Sequence, residues 1–143
     1  MRKVRLAAVS AAAVLGLPLS AGSAEATPDS GVTAVTLARK TVGGRDYVLR
    51  EITVQPGGST GWHFHDGTLY GYVRQGHLSH FDATCASDGE YPAGSTLVEP
   101  SGPDHVHIGR NLGDRPVVLD VLYVLPAGSP LSEDAPNPGC SFE

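Results

Sequence analysis

Between residues 46 and 54 the chain alternates. Tyr47, Leu49, Glu51 and Thr53 fall on one face, Val48, Arg50, Ile52 and Val54 on the other. A period of two marks a strand with one side turned to a core. The same reading gives strands at 32–42, 60–65, 69–74, 77–81, 96–99, 104–110 and 116–125, the last being Val-Val-Leu-Asp-Val-Leu-Tyr-Val after Pro116. Gly43-Gly44, Pro56-Gly57-Gly58, Gln75-Gly76, Pro100 to Pro103 and Asn111 to Asp114 supply turns between them. The segment around Cys85 reads as a polar loop, and the chain beyond Pro126 as an irregular Pro/Gly/Ser-rich tail. No segment after the leader carries a helical period. Short strands with closely spaced Gly/Pro turns predict an all-β sandwich or barrel.

The first residues do not belong to that pattern. Arg2, Lys3 and Arg5 precede an apolar run, residues 6–19, and Ala24-Glu25-Ala26 has the small-x-small form that signal peptidases recognise. The run is shorter than the roughly 20 residues a spanning helix needs. Residues 1–26 are therefore expected to be a cleaved signal peptide. Residues 27–143 are expected to form a single exported domain, secreted or in the cell envelope, with no membrane association after cleavage. The chain carries a formal charge of −5, and its leader holds three basic residues but one acidic residue, so the remainder is more acidic still. Scattered Lys and Arg in an acidic chain exclude a nucleic-acid footprint. Outside the cytoplasm the two cysteines, Cys85 and Cys140, are expected to form a disulfide that ties the central loop to the tail.

Six histidines carry the candidate chemistry. His63 and His65 are two apart on one expected strand, and His105 and His107 are two apart on another. Each pair therefore presents both rings to one side. Neutral imidazole suits Zn, Cu, Fe and Ni. His77 and His80 are three apart, so they face opposite ways and are expected to play no part in the site. Trp62, Phe64, Tyr70, Tyr72 and Phe81 are expected to pack in the core.

These residues resemble the cupin superfamily, whose members fold as a small jelly-roll β-barrel. Gly57, His63, His65 and Gly76 keep the register of the family's first motif. Gly94, Pro100, Gly102 and His105 keep the first part of the second. The closing Asn of that motif, counted back from Asn111, selects His107 instead, so either histidine fits. The resemblance covers residues 47–125. It implies a divalent metal (Zn, Cu, Mn or Fe) held by His63, His65 and one or both of His105 and His107. The family's glutamate position falls on Leu69, which cannot ligate. Tyr70, Glu99 or Asp66 could substitute, although Glu99 and Asp66 border turns, where a carboxylate is expected to face solvent. Metal affinity should fall below the free imidazole value of about 6.5.

The functional expectation is a secreted metal-binding cupin, with a small molecule and a second copy of the chain as possible partners. Two alternatives stand beside it: a dioxygenase- or isomerase-like enzyme acting on a small polar substrate, and a non-catalytic ligand-binding scaffold.

Overall fold

The computed structural model describes residues 26–142. All but the last residue of the expected leader lies outside the described residues. Ten strands follow one another: β1 (Ser30–Val42), β2 (Arg45–Ser59), β3 (His63–Phe64), β4 (Thr68–Gln75), β5 (His77–Asp82), β6 (Ser87–Pro92), β7 (Thr96–Glu99), β8 (His107–Arg110), β9 (Val117–Pro126) and β10 (Glu133–Asp134). A single 3₁₀ turn, Pro103–His105, precedes β8. One layer runs β1-β2-β9-β4-β7 and the other β10-β3-β8-β5-β6, every pairing antiparallel. The far end of β2 joins them, with Ser59 opposite Arg110. The result is the all-β jelly-roll barrel that the sequence predicts.

Alternation sets the interior. Along β9, Val117, Leu119, Val121, Tyr123 and Leu125 are buried, and the residues between them are only half-buried. Cross-strand partners lie on one face of a sheet, so the pairings stack inward-facing rows. One row is Val48, Tyr123, Leu69, Glu99; the next is Arg50, Val121, Gly71, Leu97. A Cβ on Gly71 would lie 2.6 Å from a Leu97 methyl, so only glycine lets Leu97 fill that layer. Val54, Val73, Val117 and Leu125 are fully enclosed, and burying such a side chain contributes roughly 1.5–3 kcal/mol.

A second apolar cluster lies where the tail folds back: Trp62, Ile108, Ala135 and Cys140, with Phe142 packed against them. Cys85 and Cys140 are bonded there.

Several expectations about local structure need correction: β2 runs on through Pro56-Gly57-Gly58 to Ser59, and the strand expected at 60–65 is reduced to His63–Phe64. The Cys85 loop is shorter than predicted, because β6 pairs with β5 despite its polar sequence. As an edge strand it buries little, so it shows no apolar alternation. The tail carries β10, which pairs with β3. And the strand expected at 104–110 begins only at His107. Gly102, at φ 110°, and Pro103 turn the chain into the 3₁₀ segment first. Trp62 is in the core as expected, whereas Tyr70 and Tyr72 lie on the outer face of β4, 50% and 45% exposed.

Candidate metal centre

Four side chains meet inside the barrel. His63 and His107 are cross-strand partners on β3 and β8, and His65 follows β3 on the same face. Glu99 ends β7, where Pro100 stops the strand. One ligand atom from each of His63, His65, Glu99 and His107 lies within 4.8 Å of every other. The ring centroids of the three histidines are 4.4–5.2 Å apart.

The main chain fixes each ring. Nδ1 of His63 is 2.9 Å from the Gly61 carbonyl oxygen, that of His65 is 2.7 Å from Leu131, and that of His107 is 2.7 Å from His105. A carbonyl only accepts, so each Nδ1 carries the hydrogen and each Nε2 keeps a lone pair. Nε2 of His65 and of His107 are buried with no hydrogen-bond partner. They lie 3.1 Å and 3.3 Å from the same Glu99 oxygen, Oε2. Lone pairs facing a carboxylate repel it, and a cation among them reverses the sign. Three neutral imidazoles with tautomers set from behind, plus one carboxylate, form a donor set that fits a divalent metal ion.

Ionisation follows the same geometry. Burial, with His107 and His65 alongside, pushes His63 down to about 3, so protons compete for it only well below the 6.5 expected of a free ring. Burial works against the Glu99 carboxylate, but the surrounding rings of His107, His65 and His80 outweigh it and hold the group well below its ordinary range.

Several sequence-based assignments change. His105 is exposed in the 3₁₀ turn and contributes its carbonyl, not its ring. The ring that enters the cluster is that of His107, the histidine that Asn111 selects. Tyr70 points outward and cannot reach the cluster. Asp66 is exposed. Glu99, expected in solvent, instead turns inward, because its strand alternates Leu97 in, Val98 out, Glu99 in. It is the direct cross-strand partner of Leu69, so the carboxylate that the first motif lacks is supplied from the next strand.

His80 was not expected in the site, yet it borders the cluster. His77 points out to Glu90, whereas His80 is 94% buried, stacked 4.9 Å from the His107 ring. Its Nδ1 donates to Asp88 at 2.6 Å, and its Nε2 is 3.4 Å from Glu99 Oε1. Burial would lower its pKa, but the two carboxylates outweigh that and raise it to about 9. The signal was available, since His80 shares the inward face of Leu78, two residues earlier.

Two cavities flank the centre. An outer one of about 280 Å³ is lined by Asp82, Asp88, Glu99, Asp104 and His107 among others. An inner one of about 50 Å³ lies between His63, His65 and Glu99 and the apolar side chains Leu69, Leu78 and Leu119.

No protein-family model matches the chain, and no curated protein matches it in sequence. Solved structures do match in fold. The polyketide cyclase RemF from Streptomyces resistomycificus is 22% identical, with a TM-score of 0.61 over 87% of this chain and 90% of that one. A double-stranded β-helix protein from Klebsiella pneumoniae is 18% identical, with a TM-score of 0.60 over 73% and 84%. The Cupin_2 domain of an XRE-family transcriptional regulator from Enterobacter cloacae is 16% identical, with a TM-score of 0.55 over 67% and 97%. Fold and neighbours together define the class: this chain has the jelly-roll fold of the cupin superfamily.

Proposed function

We propose that this protein is an exported metalloprotein whose divalent ion is held by His63, His65, Glu99 and His107 and serves a small molecule bound in the barrel. The observation that carries this reading is the lone pairs of His65 and His107 aimed, without a partner, at one carboxylate oxygen. The bound ion would supply a Lewis acid beside the inner cavity. The protein's own part is to hold three rings by their Nδ1 hydrogens, keep Glu99 ionised, and wall off bulk water with Leu69, Leu78 and Leu119. An enzymatic reading is favoured over a passive scaffold by Glu99, which gives the centre a carboxylate, and by the likeness to a cyclase. The disulfide supports an oxidising compartment.

Metal analysis of untagged protein tests this reading. About one equivalent of metal is expected, lost in His63→Ala/His65→Ala and retained in His77→Ala. Protein without bound metal, and without thermal stabilisation by Zn, Mn, Fe or Cu, would refute it. Export predicts that the mature chain begins at Thr27.

A further inference from the structure

Arg50 stands on the inward face of β2, between Val48 and Ile52. Its cross-sheet partners are Val121, Gly71 and Leu97 on one side, none of which can pair with a cation, and Thr36 of β1 on the other. Among the described residues no carboxylate lies within ion-pair distance of it, and its Nε is buried without a hydrogen-bond partner. Its hydrogen-bonding neighbour is the Tyr123 hydroxyl. Arg50 is half-buried, and an enclosed Nε with no counter-charge is a position that an anion would satisfy.

There is room for one. Arg50, Tyr123, Thr60, Ser132, Ile52 and Val32 line a cavity of about 230 Å³, with the exposed Asp29 at its rim. Ile52, Thr60 and Tyr123 also line the inner cavity that holds His63, His65 and Glu99. The two spaces therefore adjoin through a shared wall. From Arg50 toward the metal centre the lining changes from cationic and hydroxylic to aliphatic. On the other side of the centre the outer cavity carries Asp82, Asp88 and Asp104 and repels anions.

We propose that Arg50, with Tyr123, is the carboxylate-binding end of the ligand site, and that the ligand is a small organic acid whose short apolar body points toward the metal centre. The guanidinium fork matches a carboxylate with two parallel N–H donors, and the Tyr123 hydroxyl adds a third. This deepens the metalloprotein reading but stands on different residues, so the two fail separately.

The test uses butyrate and its neutral isostere butyramide, titrated into zinc-loaded and metal-free protein, with the Arg50 Nε–H resonance followed by NMR. Butyrate should shift that resonance in both forms, and butyramide should bind at least about tenfold more weakly. Arg50→Met should weaken butyrate binding by about the same factor while leaving zinc stoichiometry unchanged and the thermal midpoint no lower. Arg50→Lys, which keeps the charge but loses the fork, should fall between. Equal binding of acid and amide, or undiminished butyrate binding in Arg50→Met, overturns the proposal. If zinc fails to bind but butyrate still shifts Arg50, the metal reading falls and the anion site stands. If zinc binds and butyrate leaves Arg50 unmoved, the anion site falls and the metal reading stands.

Discussion

Leu69 and Glu99 face each other across β4 and β7, and exchanging them separates position in the sheet from position in the sequence. Glu99→Leu removes the only carboxylate in the cluster and leaves three neutral rings. Its Oε2 lies 3.1–3.3 Å from two of them, and its side chain is 16% exposed, so water replaces it poorly. Breaking a buried charge pair by removing one partner costs about 3–5 kcal/mol. That corresponds to a zinc Kd weakened by about two to three and a half orders of magnitude. Leu69→Glu/Glu99→Leu returns a carboxylate to the same row from the neighbouring strand, and it should recover at least about one of those orders. Leu69 is 2% exposed, so the double variant will be less stable, and the measurement is therefore Kd by competition with a chromophoric chelator rather than a melting temperature. Asp66→Asn serves as the control and should bind as the wild type does. A zinc Kd for Glu99→Leu within about threefold of wild type would refute the assignment of Glu99 as a ligand, because a loss of only ~0.7 kcal/mol is that of a solvated neighbour.

Three further outcomes are expected. His107→Ala should abolish stoichiometric zinc binding while His105→Ala changes the Kd by less than about threefold, since only the His105 carbonyl touches the site; the reverse order would return the second motif to His105. In metal-free protein His80, raised from 6.5 to about 9, binds its proton more tightly folded than unfolded. Its stabilisation is therefore complete below pH 6.5 and is lost as pH rises through 9, by up to about 3 kcal/mol. Urea denaturation should show that loss in the wild type and little of it in His80→Gln; a wild type equally stable at pH 6 and pH 9.5 would contradict it. Replacing both cysteines with serine opens a link spanning 55 residues and should cost at most about 4 kcal/mol, with Trp62 emission shifting red in the native state; unchanged emission would show that the tail holds without the bond.

The barrel was legible because its strands obey one simple rule. In 46–54 and 116–125 inward and outward positions alternate without a break, and glycines and prolines mark the corners. His63 and His65 were legible for the same reason. The rest of the site depends on relations between strands that are distant in sequence. Nothing local to Glu99 says that it lies opposite Leu69; that follows only once β4 and β7 are paired. His105 and His107 look equivalent as a spacing, and the 3₁₀ turn that separates them arises from Gly102 and Pro103 just upstream. β6 was invisible because an edge strand in a polar segment needs no apolar face. Arg50 was already assigned to the face of Val48 and Ile52, but its lack of a partner is a fact about the filled barrel, not about the strand.

The carbonyl that orients His65 belongs to Leu131, in the tail segment that also carries β10 and ends at Cys140. That segment is fastened at its far end by the bond to Cys85. One of the three rings is therefore aligned by a piece of chain held both by the β10–β3 register and, at its far end, by a disulfide. Thiol chemistry is thereby coupled to the orientation of one ring through a single carbonyl. Reduction of the Cys85–Cys140 bond would leave that segment fastened by β10 and its apolar contacts, and the His65 tautomer less firmly set. With the bond closed, both fastenings hold the Leu131 carbonyl against the His65 ring.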